Sequence, residues 1–398
     1  MRRLTREAVE AGALGVASSR IYIHKTKDGE DIPCTDASQL ELNELALGLT
    51  DAKKGIIQMV LDAPRMPWRG EVECLLDMAK VSGRPATFSL GTPNEGPPIW
   101  REAMDMVGAA NAEGLQIMAQ VLPRPVGVVA GFELSLHPFC QLQTYQALAR
   151  MPWAERLAEL KKPGVRARLI AEDSNEPVSL AAIGRYFDWM FPFNCAPNYE
   201  PPRESSITAL AQAKGISPAE LAYDLMMENE GTGKLLIAVG NFYEGKLDAL
   251  FDLMQSEHTV IGLGDGGAHY ASICDASYPT FFLTYWMRDR SGKRFSIGEG
   301  IQNLTQAPAK AVGLDDRGVL KPGYKADLNV IDFDRLSLHA PVVKYDLPAG
   351  GRRLDQAASG YEAMIVSGQI VRRRDAPTGV LPGRVVRGAQ AAPLGIEG

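Results

Sequence analysis

Two parts of different character meet in the stretch Gly318-Val-Leu-Lys-Pro-Gly-Tyr-Lys-Ala-Asp-Leu-Asn-Val-Ile-Asp332. Its Pro-Gly pair is typical of a turn, and the apolar run that follows predicts a β-strand. Further on, Tyr361–Arg373 predicts a hairpin with Ser367 and Gly368 at its turn. A hairpin or two is not stable alone in water, so these strands must pack on another part of the chain. The sequence therefore predicts a small antiparallel domain over residues 316–387.

Upstream of residue 315, short apolar runs alternate with amphipathic segments. Apolar runs separated by helices are typical of parallel strands with right-handed crossovers. The predicted strands are Leu14–Ser18, Ile56–Leu61, Ala86–Leu90, Leu115–Val121, Leu235–Asn241 and Val260–Gly264. The predicted helices are Ser38–Lys53, Glu71–Ser82, Ile99–Glu113 and Pro218–Asn229. No GxGxxG lies between a predicted strand and a helix, and no GxxxxGK[ST] occurs, which favours a barrel over a nucleotide-binding open sheet.

A (β/α)8 barrel needs eight strands, and this pattern supplies about six. Residues 131–218 predict helices and loops that cover one face of the barrel, and they do not look like the two further strands. We therefore expect residues 1–315 to form a barrel that lacks its first strands, with an insertion at about 131–218. Residues 388–398 are expected to be a frayed tail.

Composition narrows the function classes. The 398 residues carry a net charge of −6, with no basic run that would bind nucleic acid or acidic membranes. The longest apolar runs are strand-sized, and the polar N-terminus lacks the apolar stretch of a signal peptide. Five cysteines without a CxxC pair form neither a disulfide framework nor a zinc knuckle. These features predict a cytoplasmic protein with no nucleic-acid or membrane partner, and they leave the oligomeric state open.

Two stretches resemble the amidohydrolase superfamily. Leu304–Asp334 is similar to the family's ending, where the last barrel helix gives way to the Gly-x-Leu-x-Pro-Gly-x-x-Ala-Asp-Leu strand of a β-sandwich. Val260-Ile-Gly-Leu-Gly-Asp-Gly-Gly-Ala-His269 resembles its eighth strand, with Asp265 at the carboxyl tip. Asp275-Ala-Ser-Tyr-Pro-Thr280 and Trp286-Met-Arg-Asp-Arg290 suggest the branch of D-aminoacylases, which are N-acyl-D-amino-acid deacylases.

The resemblance covers residues 1–387 and implies an α/β fold. It implies an incomplete TIM (β/α)8 barrel of the metal-dependent hydrolase type plus part of a small β-sandwich domain. In this superfamily the first strand bears a His-x-His pair, which the chain does not contain. The resemblance thus accounts for the two strands by which the six predicted strands fall short of the eight in a complete barrel.

Asp265 is the predicted catalytic base. The resemblance implies that it helps to hold a metal, takes a proton from the metal-bound water and passes it to the leaving amine. Gly264 and Gly266 on either side allow a ligand to approach the backbone closely. The alternative is an aspartate that only caps a turn.

Four further residues are predicted to bind substrate. His269 could reach the same mouth as Asp265, although a plain loop histidine is the alternative. Arg288 and Arg290 could bind a substrate carboxylate, because guanidinium groups pair with carboxylates in a bidentate manner, but arginine is also common on solvated loops. His24 lies in a polar loop beyond the first predicted strand. The remaining histidines are interpreted as structural or solvated: His137, His258 and His339.

The metal site departs from the family pattern. Amidohydrolases usually place metal-binding histidines at the tips of strands five and six, where this chain has Phe88–Thr92 and Met118–Leu122 without histidine. The fourth tip offers Asp62 but no lysine. A catalytic zinc site needs about three protein ligands, and only Asp265 is credible here. The family implies zinc or another divalent metal, and binding by this chain alone is doubtful.

The predicted activity is hydrolysis of a carbon–nitrogen bond in a linear amide, with an N-acyl-D-amino acid or a related small amide as substrate. One alternative is a cyclic-amide hydrolase resembling dihydropyrimidinase or hydantoinase, which would normally carry a carboxylated lysine near Asp62. Another is a non-catalytic partial chain, impaired or paired with a second polypeptide. In-frame codons for a His-x-His motif upstream of Met1 would favour the prediction of an enzyme over that of a non-catalytic chain.

Overall fold

The structure is a computed structural model that describes residues 1–26, 28–62, 68–172, 183–194, 197–264, 266 and 269–394. Its helices are α1 (Arg2–Glu10), α2 (Gln39–Ala52), α3 (Trp68–Ser82), α4 (Ile99–Ala112), α5 (Gln143–Ala149), α6 (Trp153–Leu160), α7 (Pro163–Ala171), α8 (Ile207–Lys214), α9 (Pro218–Gly231), α10 (Asp248–Met254), α11 (Tyr278–Phe281) with its π-helical continuation Phe282–Asp289, α12 (Ile297–Leu304) and α13 (Gln306–Ala311). Its strands are β1 (Gly15–Ser19), β2 (Ile56–Val60), β3 (Ala86–Ser89), β4 (Ile117–Val121), β5 (Val126–Ala130), β6 (Met190–Pro192), β7 (Leu235–Gly240), β8 (Thr259–Ile261), β9 (Leu328–Ile331), β10 (Ser337–Leu338), β11 (Val342–Leu347), β12 (Gly351–Asp355), β13 (Ala358–Ser359), β14 (Tyr361–Val366), β15 (Gln369–Arg373) and β16 (Ala376–Pro377). Within these ranges, no helix has both the length and the apolarity to span a membrane.

A parallel sheet organises the first part of the chain. Its strands follow the order β1-β2-β3-β4-β8, and every neighbouring pair runs in the same direction. Helices α2, α3 and α4 connect the successive strands and bury their apolar faces with Ile57 and Phe88, both of which are fully buried. These elements lie where the sequence predicts them, to within a few residues at each end. The prediction of parallel βα units is confirmed for these five strands.

The prediction fails for the strand at Leu235–Gly240. Instead of joining the parallel sheet, β7 pairs antiparallel with β5 on one side and with β6 on the other. Its side chains from Leu235 to Ala238 are all buried. An apolar run that is buried on both faces looks the same in either direction, so the sequence pattern could not decide the pairing. The region between β4 and β8 therefore contains its own three-stranded sheet, with helices α5–α9 around it.

The small domain is antiparallel, as predicted. Strands β16-β15-β14-β9 form one sheet, while β11 pairs with β12 and β10 with β13. The predicted hairpin joins β14 to β15, and its turn residues Ser367 and Gly368 both have positive φ, at 49° and 78°. Positive φ at both positions is typical of the tight turn that matches the twist of a hairpin. Leu336 and Leu354 are buried in the same apolar cluster as the helical region Phe281–Met287, so the domain packs on the barrel.

The expectation of a tail that frays from residue 388 is wrong for its first residues. The Gly388 amide donates to the Gly12 carbonyl at 2.9 Å, and the Gln390 amide donates to the Gly313 carbonyl at 2.8 Å. The Gln390 carbonyl accepts from the Asp315 amide at 2.8 Å. Backbone bonds to distant parts of the chain hold this segment, and a composition rich in glycine and alanine gave no sign of them.

His137 lies inside an aromatic cluster of the inserted region. Its ring is 1% exposed and stands edge-on to Tyr145 at 4.3 Å and to Phe132 at 5.2 Å. Burial, together with the smaller effect of the charges of Arg156 and Arg352, lowers the pKa of His137 to about 3. Its Nδ1 accepts a hydrogen bond from the Phe139 amide at 3.3 Å. His137 is therefore neutral in the folded protein at neutral pH.

We predict that His137 makes folding sensitive to mild acid. The unfolded chain takes up a proton on this ring below about pH 6.5, whereas the folded chain does not until about pH 3. The free energy of unfolding is therefore intact above pH 6.5 and falls as the pH drops towards 3. Urea denaturation at pH 7.5 and 5.5 should show the native protein losing about 1.4 kcal/mol more than His137→Asn, which keeps the acceptor but does not titrate. Equal losses in the two proteins would contradict the prediction.

Candidate active site

The carboxyl ends of the parallel strands meet at one edge of the sheet, where barrel proteins carry their chemistry. The predicted base, Asp265, lies outside the described residues. The chain on both sides of it adopts left-handed backbone, with φ of 62° at Leu263 and 61° at His269. Such a conformation is unfavourable for a branched residue such as leucine. Strained backbone persists only where the surrounding structure enforces it, and it is often found at functional sites.

Polar side chains cluster beyond the tips of β1 and β2. Ser19 Oγ and His24 Nδ1 are hydrogen-bonded at 2.7 Å, which holds the exposed His24 beside the tip of β1. Arg20 makes two hydrogen bonds to the Glu71 carboxylate, at 3.0 and 2.9 Å. Glu71 also accepts from the backbone amide of Asp62 at 3.3 Å. His24 therefore lies just beyond the carboxyl end of β1, and its predicted contact with substrate stays a prediction.

The tips of β3 and β4 are tied together by Asn241, which is fully buried. Its side chain accepts from the Thr92 amide at 2.8 Å and donates to the Leu122 carbonyl at 2.9 Å. Gln120, at the tip of β4, donates to Thr87 at 3.1 Å. Hydrogen-bonded amide and hydroxyl groups fix the backbone at this edge.

His269 is exposed and begins a turn in the loop that follows β8. Its carbonyl oxygen accepts from the amides of Ser272 and Ile273, at 2.8 and 2.9 Å. His269 follows Asp265 by four residues in the sequence. Its predicted contact with substrate stays a prediction.

Arg288 and Arg290 are both engaged inside the protein. Arg288 donates to the Leu336 carbonyl at 2.9 Å and to the Phe333 carbonyl, so it links the π-helical segment to the small domain. Arg290 makes two hydrogen bonds of 2.9 Å to Glu200 and one of 2.8 Å to Asp248. These contacts raise the pKa of Arg290, although burial alone would lower it. Both guanidinium groups already have carboxylate or carbonyl partners, so the geometry gives them a structural role.

Loss of Arg290 should destabilise the fold. Its side chain is 4% exposed and that of Glu200 is 16% exposed, so Arg290→Met leaves the Glu200 carboxylate largely buried without its cation. We expect the free energy of unfolding to fall by about 3–5 kcal/mol. The control is Arg166→Met, because Arg166 pairs with Glu220 and Asp224 at the partly exposed surface. That change should cost less than about 1 kcal/mol in the same urea titration.

The described residues do not fit a metal site. Among them, no group of three or more histidine, cysteine, aspartate or glutamate side chains is placed to hold a metal ion. Ser89 and Gln120 occupy the tips of β3 and β4, and neither residue is a usual ligand for zinc.

A cavity of about 690 Å³ lies at the opposite end of the sheet. Its lining includes Ile56, Ala86 and Ile117, which begin strands β2, β3 and β4, together with His258 and Lys310. In barrel proteins this amino-terminal end contributes to stability, and the chemistry lies at the carboxyl end. We therefore do not place the candidate active site in this cavity.

Parallel βα units with polar strand tips, followed by a small antiparallel domain, are typical of the TIM-barrel class of α/β proteins. The chain belongs to the Amidohydrolase family, whose model matches residues 1–372. This match confirms the resemblance seen in Val260–His269 and Leu304–Asp334.

Solved structures show the same fold. An N-acyl-D-glutamate deacylase from Bordetella bronchiseptica, in complex with zinc and a phosphonate inhibitor, is 19% identical, with a TM-score of 0.55 over 97% of this chain and 65% of its own length. A D-aminoacylase is 17% identical, with a TM-score of 0.54 over 98% of this chain and 64% of its own. By sequence alone, the chain is similar to a dihydroorotase from Lactobacillus acidophilus, with 28% identity over 137 residues, which are 33% of this chain and 32% of that protein. The chain thus spans just under two thirds of the two structures that it resembles.

Proposed function

We propose that this chain carries the proton-transferring part of an enzyme that hydrolyses a linear amide, with N-acyl-D-amino acids as the substrate class. The observation that carries the proposal is the position of Asp265, four residues beyond the end of β8 in the parallel sheet. A carboxylate that follows the last strand of a barrel is well placed to reach the mouth. Membership of the Amidohydrolase family and the likeness in fold to two deacylases support it.

In the proposed reaction, Asp265 acts as general base and then as general acid. Its carboxylate takes a proton from the attacking water, whose oxygen adds to the amide carbon, and it later gives that proton to the departing nitrogen. A metal ion, which the family implies, would lower the pKa of the water. Because the described residues do not fit a metal site, we assign no step to such an ion.

The carboxylate of an N-acyl amino acid needs a hydrogen-bond donor at the mouth. Arg290 is already paired with Glu200 and Asp248, and Arg288 already donates to carbonyls of the small domain. Among the residues predicted from the sequence, the exposed His24 and His269 are therefore the better candidates. The ring N–H of a histidine can donate such a hydrogen bond.

Asp265→Asn is the direct test of the base. The amide has the shape of the carboxylate but cannot accept the proton, so turnover should fall by about 10²–10⁴. The enzyme to assay is the product of the whole reading frame, including any in-frame codons upstream of Met1. Circular dichroism and thermal unfolding should be unchanged, because a residue at the open end of a barrel is not part of its packed core. A variant with normal turnover would refute the proposed base.

Substrate class is tested on the same enzyme with matched compounds. N-acetyl-D-amino acids should release acetate faster than their L-enantiomers, and a hydantoin and dihydroorotate should react poorly. A preference for the cyclic compounds would favour the alternative hypothesis that the enzyme is a cyclic-amide hydrolase. The cyclic compounds are included because the chain is similar to a dihydroorotase over 137 residues.

The 398-residue chain alone should show no zinc-dependent hydrolysis of N-acetyl-D-amino acids. Among the described residues, no group of three or more histidine, cysteine, aspartate or glutamate side chains is placed to hold a metal ion, whereas a catalytic zinc site needs about three protein ligands. Calorimetric titration with zinc should likewise show no stoichiometric binding of high affinity. Robust hydrolysis that depends on zinc and disappears with a chelator would contradict this expectation.

A further inference from the structure

The segment 269–277 leads from the loop with Asp265 to the helix that begins at Tyr278. Two separate parts of the chain hold its backbone. The Ser272 carbonyl accepts from the Val129 amide of β5 at 2.7 Å, and the Tyr270 carbonyl accepts from the Leu354 amide of β12 at 2.7 Å. The inserted sheet and the small domain therefore both contact the segment directly.

A fully buried arginine is hydrogen-bonded to the carboxyl-terminal end of this segment. Arg124 is 1% exposed and follows β4 by three residues. Its Nη2 donates to Asp275 at 2.7 Å and its Nη1 to Ser277 Oγ at 3.0 Å, while the guanidinium group lies over the Tyr199 ring at 4.4 Å. A buried guanidinium is costly unless its partners are fixed. The tip of β4 thus restrains the end of the segment that follows β8.

Gln356 brings the small domain into the same cluster. Its Oε1 accepts from Ser277 Oγ at 2.5 Å and from the Tyr199 hydroxyl at 3.0 Å. Its Nε2 donates to the His339 carbonyl at 3.0 Å, and this contact fixes which end of the amide faces the cluster. Arg124 Nη1 lies 3.5 Å from the same oxygen. One side chain of the small domain therefore bonds to the inserted region and to the segment after β8.

We infer that Arg124 and Gln356 are positioning residues that fix the conformation of the segment 269–277, which carries His269 and follows Asp265 in the sequence. Through them the small domain controls the geometry of the candidate active site. The catalytic consequence rests on the proposed function, but the structural inference does not. If these contacts only held the two domains together, the loss of any hydrogen bond between the barrel and the small domain would have the same effect. The segment 269–277 would then not depend on Arg124 and Gln356 in particular.

Tyr361→Phe provides a matched control. The Tyr361 hydroxyl is hydrogen-bonded to Thr280 Oγ1 at 2.7 Å, so it also joins the small domain to the barrel region, at a residue outside the segment 269–277. Its removal deletes one hydrogen bond of similar length. A general loosening of the domain contact would affect this variant as well.

Hydrogen exchange tests the inference without any need for activity. In the purified chain, Gln356→Leu and Arg124→Met should raise the exchange rate of peptides covering 262–277 by about tenfold, whereas Tyr361→Phe should leave it unchanged. Arg124→Lys keeps a charge and one donor for Asp275, so it should restore most of the protection. It also keeps the test decisive if Arg124→Met does not fold. Unchanged exchange in Gln356→Leu, or an equal rise in Tyr361→Phe, would overturn the inference.

Steady-state kinetics then distinguish a role in positioning the active-site segment from a role in binding substrate. In the active enzyme, Gln356→Leu should lower kcat by about ten- to a hundredfold with KM within about twofold, and Tyr361→Phe should change neither. A normal kcat in Gln356→Leu would refute the catalytic consequence. If the native enzyme does not hydrolyse N-acyl-D-amino acids, the proposed function fails, and the exchange rates still decide the inference.

Discussion

The buried charge of Arg124 is the constraint around which the parts of this molecule are arranged. Removing a guanidinium group from water costs several kcal/mol, and only close, well-oriented partners offset that cost. The partners come from three regions: Asp275 from the segment after β8, the Tyr199 ring from the inserted region, and Gln356 from the small domain. None of these regions can move away without leaving a buried polar group unsatisfied. One side chain at a strand tip thereby couples regions that the sequence shows as separate.

The elements of the parallel sheet could be read from the sequence because their signal is local. Apolar runs such as Ile56–Val60 and the helix Gln39–Ala52 are visible in a short window, and the structure has them close to their predicted bounds. The hairpin turn at Ser367 and Gly368 is local in the same way. The pairing of β7 is not local, because a strand buried on both faces carries no mark of its neighbours or their direction. That is why the fold class could be predicted while this strand was assigned to the wrong sheet.

The site was harder to read than the fold, because its contacts join distant positions. Arg124 and Asp275 are 151 residues apart, and Tyr199 and Gln356 are 157 apart. The one available sign was an arginine set between two prolines just beyond a strand, in Leu122-Pro-Arg-Pro-Val126. Arg290 shows the reverse case. Its position after the last barrel strand suggested a carboxylate of the substrate, but the carboxylates it binds belong to Glu200 and Asp248.

These observations suggest why the small domain stays close to the mouth of the barrel. A loop that begins with left-handed backbone at Leu263 and His269 stores strain, which other contacts must offset if the loop is to keep one conformation. The hydrogen bond from Leu354 to Tyr270 and the cluster around Gln356 supply such contacts. Precise placement of an acid–base group matters greatly, because an error of about 1 Å can cost a large part of the rate. A domain that does not contain the proposed base, Asp265, can therefore still determine how well that residue would work.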